Sequence, residues 1–304
     1  MRKYCLLLLV ILFVQVLGAV EPPKKEIRGV WLTTVYGLDW PHKPATTEAG
    51  RKAQQHGLCD ILDRLQDANF NTVFLQVRMR GDVIYRSAFE PASKVLSGKY
   101  GQMPGYDPLA FAIEECHKRG MECHAWFVTF PVGTDKSVKE QGKLSVVKRH
   151  PKLCKQYKGE WFLDPGVPET TDYLLSLVKE LVMGYDIDGI HFDYIRYPEQ
   201  AKNFPDKALY TKYGKKMSLE DWRRENINKM VYRIYDWVKS VKPYVQVSSS
   251  PLGKYNRIER VPNAGWTAYE SVFQDPKMWM LQGKQDMIVP MMYYLHDNFF
   301  PFVD

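Results

Sequence analysis

The chain has 304 residues, 45% hydrophobic and 25% charged, which describes an ordinary globular protein and excludes collagen-like, low-complexity and coiled-coil architectures. The formal net charge of +7 is spread along the chain without a basic block, which argues against nucleic acid as a partner. Eight Trp and nineteen Tyr could furnish surfaces for flat apolar faces such as sugar rings, although core packing uses the same residues.

Arg2 and Lys3 precede an apolar run from Cys5 to Leu17, then Gly18 and Ala19, then Glu21-Pro22-Pro23-Lys24-Lys25. This three-part pattern predicts a secretory signal peptide over 1–19 and a linker over 20–27. The apolar run falls short of the ~20 residues that span a bilayer, so cleavage and a secreted or periplasmic location are favoured over an uncleaved anchor, with no stable membrane span left. Cys59, Cys116, Cys123 and Cys154 contain no CxxC pair and are too few for a disulfide scaffold. Buried free thiols are expected, with a single bridge left open.

From residue 28 the chain alternates short β-branched or aromatic runs with amphipathic helices. Predicted strands are Gly29–Thr34, Thr72–Arg78, Glu122–Phe127, Gly189–Tyr194, Val245–Ser250 and Met287–Tyr293. Predicted helices include Gly57–Ala68, Pro108–Arg119, Thr171–Met183 and Leu219–Val241, the last starting after the N-cap candidate Ser218. Such alternation implies a parallel sheet covered by helices.

The strand faces then separate a doubly wound sheet from a barrel. Gln76 and Arg78 share one side of their strand; so do Glu122, His124 and Trp126, then His191 and Asp193, then Gln246, Ser248 and Ser250. An open sheet packed on both faces wants both sides apolar, whereas a barrel opening into a polar site at its strands' C-terminal ends suits one polar side. No glycine-rich phosphate loop follows the first strand, because Trp31-Leu32-Thr33-Thr34-Val35-Tyr36 lacks GxGxxG. The fold class expected is therefore α/β, a (β/α)8 TIM-type barrel over 28–304. With two strands short of eight, it is expected to be truncated after the sixth. The stretches Phe130–Pro168 and Tyr197–Met217 are long excursions, of a length more often functional than idle.

Chemistry concentrates at Asp188-Gly189-Ile190-His191-Phe192-Asp193-Tyr194-Ile195-Arg196-Tyr197-Pro198. An inward carboxylate at a strand end, followed by a guanidinium and aromatics, supplies an acid, a cation and stacking surfaces at a barrel mouth. Glycosidic cleavage needs a proton donor and a second carboxylate as nucleophile or base. Asp193 is the first catalytic candidate, against a structural reading in which it caps the loop or pairs with Arg196. Asp82, in Gln76-Val77-Arg78-Met79-Arg80-Gly81-Asp82, is the candidate second carboxylate, against a turn role. Arg78, Trp126, His191, Arg196, Tyr197, Ser248 and Tyr293 are the candidate substrate-binding residues. The seven His are scattered, which disfavours a zinc site, and no GxSxG elbow supports a serine hydrolase. Neither a metal nor a cofactor is expected.

Arg28-Gly29-Val30-Trp31-Leu32-Thr33, Phe74-Leu75-Gln76-Val77-Arg78, Leu163-Asp164-Pro165-Gly166-Val167-Pro168-Glu169, Gly189–Pro198 and Val289-Pro290-Met291-Met292-Tyr293 together resemble the glycosyl-hydrolase-like 10 family of secreted bacterial proteins, from about residue 26 to the end. The resemblance implies a (β/α)8 barrel with an added C-terminal region, and for some members glycosidase action on peptidoglycan glycan strands. The 188–195 segment is also similar to the DGxDxDxE strand of chitinase-type family 18 enzymes. That alignment sets His191 at the first inner Asp, Asp193 at the second and Ile195 at the catalytic Glu, so the acid of that family is absent. The expectation is an exported glycoside hydrolase acting on a cell-wall (peptidoglycan-type) or other amino-sugar polysaccharide; the competing class is a carbohydrate-binding barrel without turnover.

Overall fold

The computed structural model describes residues 26–257 and 265–293; the expected signal segment and most of the linker lie outside them. Six parallel strands form the central sheet: β1 Gly29–Leu32, β2 Thr72–Arg78, β3 Glu122–Val128, then, after three strands outside the sheet, β7 Gly189–Asp193, β8 Gln246–Ser249 and β9 Met287–Ile288. Their spatial order is β1-β2-β3-β7-β8-β9, which is also their chain order. An order that never reverses has no switch point, so right-handed crossovers set all the helices on one side.

The sheet curls, and ring contacts on the helix-free side show it. Three strand spacings of about 4.8 Å would set β1 about 14 Å from β7 across a flat sheet. Yet the ring centroids of Trp31 on β1 and His191 on β7 are 5.5 Å apart, with Phe74 of β2 stacked on Trp31 at 4.3 Å and 4.8 Å from His191. His124 of β3 joins them 5.0 Å from Phe74. The polar side read from the sequence is therefore the concave side of a curled, TIM-type half-barrel. Gly189 is needed there, since a Cβ at that position would lie 2.3 Å from the His124 ring.

The convex side is apolar. Val73, Leu75, Cys123, Ala125, Ile190 and Val247 are buried with residues of four helices: α1 Glu48–Asp67, α2 Pro108–Lys118, α3 Pro168–Gly184 and α4 Leu219–Val241. Helix α1 begins well before the predicted Gly57, because the Thr47 hydroxyl caps it by accepting from Gly50 N at 3.1 Å. Its first turns are largely solvated, so apolar spacing could not show them. Helix α4 keeps its predicted bounds, with Ser218 Oγ accepting from Asp221 N at 3.0 Å.

The excursion after β3 is ordered. β4 Pro131–Thr134, β5 Cys154–Tyr157 and β6 Glu160–Leu163 form an antiparallel sheet in the order β4-β6-β5. β5 and β6 are joined by Lys158 and Gly159 with φ of 51° and 81°, the two left-handed residues of a type I′ hairpin. No helix among the described residues is long and apolar enough to cross a membrane.

Candidate active site

The C-terminal ends of β2, β3 and β7 and the β5–β6 hairpin surround a cavity of about 410 Å³. Its wall includes Gln76, Trp126, Asp193 and Arg196 from the barrel strands and the segments that follow them, and Lys158 and Glu160 from the hairpin. Asp193 is the last residue of β7 and is 8% exposed. Its Oδ1 accepts from Tyr194 N at 2.7 Å and its Oδ2 from Trp126 Nε1 at 3.2 Å, with a further hydrogen bond from Ser250. Burial raises its pKa above the ordinary carboxylate value, while Arg196 and these donors oppose the rise. The result is a carboxylate whose two oxygens are both oriented by donors.

Tyr194 follows with φ of 49°, the left-handed backbone that non-glycine residues rarely adopt, and this bend swings the chain away from the strand direction. Arg196, also buried, lays its guanidinium 4.4 Å from the Tyr194 ring centroid and reaches Glu199 Oε1 at 3.7 Å. Glu160 pairs with Arg80 at 3.0 Å, and both are partly exposed at the cavity wall. Three carboxylates thus share this cavity: Asp193 buried, and Glu160 and Glu199 open to solvent. The sequence marked the 130–168 excursion as functional by its length, but nothing local distinguished Glu160 or Glu199 from surface charge.

Gln76 shapes the opposite wall. Its Oε1 accepts from Thr33 Oγ1 at 2.8 Å, Thr34 N at 3.1 Å and Val35 N at 2.9 Å, tying the segment after β1 to β2.

Several candidate positions are corrected. Arg78 was expected in the cavity, but the β2–β3 register shifts between Gln76 and Arg78, so Gln76 faces Trp126 while Arg78 faces Phe127. The bulge turns Arg78 to the convex side. There it is 0% exposed, donating to both Glu90 oxygens at 2.7 Å and to the carbonyls of Val128 and Thr129. Burial works against its charge, but Glu90 outweighs this and its pKa is raised. Asp82 lines a neighbouring cavity rather than the one holding Asp193, and burial pushes it up to about 6. His191 and Ser248 lie deeper in the barrel, fully buried and 2.8 Å apart through His191 Nδ1 and Ser248 Oγ. Burial, then His124, holds His191 down at about 3, so it is neutral filling of the barrel rather than a group open to substrate. Tyr197, by contrast, does line the cavity that holds Asp193, with its ring buried and met edge-on by Phe204 and Phe273. Tyr293 is 87% exposed and outside the cavity wall. Trp126, Asp193, Arg196 and Tyr197 are the candidate residues that the fold brings together.

The glycosyl hydrolase-like 10 family model matches residues 26–301. The chain belongs to the glycosyl hydrolase-like 10 family. It is 36% identical over 282 residues to the glycosyl hydrolase YngK of Bacillus subtilis, covering 89% of this chain and 54% of that protein. It is also 36% identical over 293 residues to the glycosyl hydrolase DigH of Escherichia coli K12, covering 90% of this chain and 67% of that one. The chain thus spans about half of the Bacillus relative. Among solved structures, the glycoside hydrolase domain of PgaB (BpsB) from Bordetella bronchiseptica superposes with a TM-score of 0.58 at 13% identity, covering 88% of this chain and 74% of that one. α-L-fucosidase isoenzyme 2 from Paenibacillus thiaminolyticus gives 0.52 at 17% identity, covering 78% of this chain and 34% of that one. These two likenesses speak to the barrel fold of this family member.

Proposed function

We propose that this chain is the barrel of an exported glycoside hydrolase that cleaves a cell-wall (peptidoglycan-type) or other amino-sugar polysaccharide. The observation that carries the reading is Asp193: a buried carboxylate at a barrel strand's C-terminal end, where catalytic groups of this architecture sit, oriented by Trp126 and facing a cavity with two further carboxylates. The family's description and the names of its relatives support the same reaction class. Export rests on the charged, apolar and small-residue pattern of residues 1–19.

Cleavage requires one carboxylate at the anomeric carbon or its water and one that shuttles the proton of the leaving oxygen. Asp193, with both oxygens held by donors, is suited to meet the developing positive charge of the sugar. Glu160 and Glu199, each beside a guanidinium and open to solvent, are the candidates for the second carboxylate at the same cavity. Incubating the protein with purified cell-wall glycan strands and measuring new reducing ends tests the reading. Release by the wild type that Asp193→Asn abolishes, and that Glu160→Gln or Glu199→Gln depresses, supports it. Tight glycan binding with no new reducing ends would instead assign the chain to the binding class.

A further inference from the structure

A second cavity, of about 290 Å³, adjoins the first and shares Val35, Met79 and Arg80 with it. Its volume is near the lower end for small-molecule sites, about 300 Å³ upward. Tyr36 and Tyr100 line it together with the hydroxyl-bearing Ser93, Thr134 and Ser137 and the carboxylate of Asp82. Aromatic faces beside hydroxyl and carboxylate groups match what a pyranose presents, an apolar ring face edged by hydroxyls.

Tyr36 is the residue that neither folding nor packing explains. It is 77% exposed and has φ of 54°, a conformation that costs any residue with a Cβ and that glycine would adopt freely. The backbone on both sides is pinned: Gly37 N donates to Thr34 O at 3.0 Å, Leu38 N to Val35 O at 3.1 Å, and Gln76 accepts from Thr34 and Val35. A large aromatic ring is thereby held out over the cavity on a strained, well-anchored turn. Strain retained at an exposed aromatic points to function. Gln76, which anchors that turn, also lines the cavity that holds Asp193, so one side chain organises both spaces.

We propose that this second cavity is a further sugar subsite, binding a pyranose of the same glycan chain whose scissile bond lies at Asp193, with Tyr36 as its stacking platform. The inference rests on the glycan reading above and adds to it that the enzyme grips more than the bond it cleaves. The substrate class that the two adjoining cavities together suit is an oligosaccharide or polymer.

The test compares the wild type with Tyr36→Gly, a change that removes the ring and relieves the φ strain, on amino-sugar oligomers from disaccharide to hexasaccharide. The expected result is a melting temperature equal to or above that of the wild type, with the hexasaccharide-to-disaccharide ratio of kcat/KM lowered about tenfold by loss of a stacked ring. Calorimetry on Asp193→Asn, with and without Tyr36→Gly, reads binding apart from turnover. Longer oligomers binding more tightly, with that gain lost in the double variant, keeps the subsite even if no oligomer is cleaved, an outcome that would sink the hydrolase reading alone. Ratios and affinities insensitive to Tyr36, or no oligomer binding at all, overturn the subsite.

Discussion

Trp126 Nε1 donates to Asp193 Oδ2 over 3.2 Å, joining the inward side chains of adjacent strands β3 and β7 at the barrel mouth. The indole therefore has two roles at once, an apolar wall of the cavity and a donor that favours the ionised form of Asp193.

Replacing the acid while keeping its shape separates chemistry from folding. Asp193→Asn is expected to lower glycan cleavage by 10²–10⁴-fold, roughly the share carried by one proton-transfer group, and by more if Asp193 is the nucleophile. The melting temperature should stay near that of the wild type. Activity within a few-fold of the wild type would reject the assignment.

Trp126→Phe keeps a ring and removes the N–H. Loss of a donor to the carboxylate raises the Asp193 pKa further, so the limb of the pH–rate profile governed by Asp193 should move to higher pH, by up to about one unit. A profile of kcat/KM against pH that does not move would show that Asp193 governs neither limb.

Arg78 and Glu90 should report on stability. Arg78→Met strands a fully buried carboxylate, which typically costs about 3–5 kcal/mol, although Tyr173 still donates to Glu90 Oε1 at 3.1 Å. Arg78→Met with Glu90→Leu removes both charges and should recover most of that loss in urea denaturation. A double variant as unstable as the single one would show that the packing of Arg78, rather than its charge, matters.

Asp82 gives a signed pH dependence. Its folded pKa of about 6 lies above its ordinary value of 3.8, so the folded state binds more protons and stability falls as pH rises from about 4 to 6. His191, held at about 3, has the opposite sign over an overlapping window, so the wild-type curve alone does not isolate Asp82. Asp82→Asn should therefore gain stability over the wild type as pH rises from 4 to 6, reaching about 2–3 kcal/mol above that. A difference in melting temperature that stays flat across this range would disprove the burial effect.

The leader is expected to be removed after Gly18 or Ala19. N-terminal sequencing of protein recovered outside the cytoplasm checks this, and Met1 retained in a membrane fraction would count against export.

What the sequence determined by itself was local and periodic. Strand β2 at Thr72–Arg78 and helix α4 at Leu219–Val241 were legible to the residue, because alternation and three-to-four spacing record which face of an element meets apolar neighbours. The polar strand faces likewise foretold a concave interior, and the end of β7 foretold Asp193 and Arg196 together. Tertiary structure alone decided which polar residues reach the mouth. A single-residue bulge sent Arg78 through to the convex layer, although its place in the alternation matched that of Gln76. His191 and Ser248 share the inner face with Asp193 but lie one step down the strands, where curvature closes the rings of Trp31 and Phe74 over His191. Glu160 reaches the cavity wall only because a type I′ turn at Lys158 and Gly159 folds a distant segment across the barrel mouth. Strand pattern specifies a side of the sheet; depth, register and the path of a loop depend on contacts between segments far apart in the chain, which no local pattern encodes.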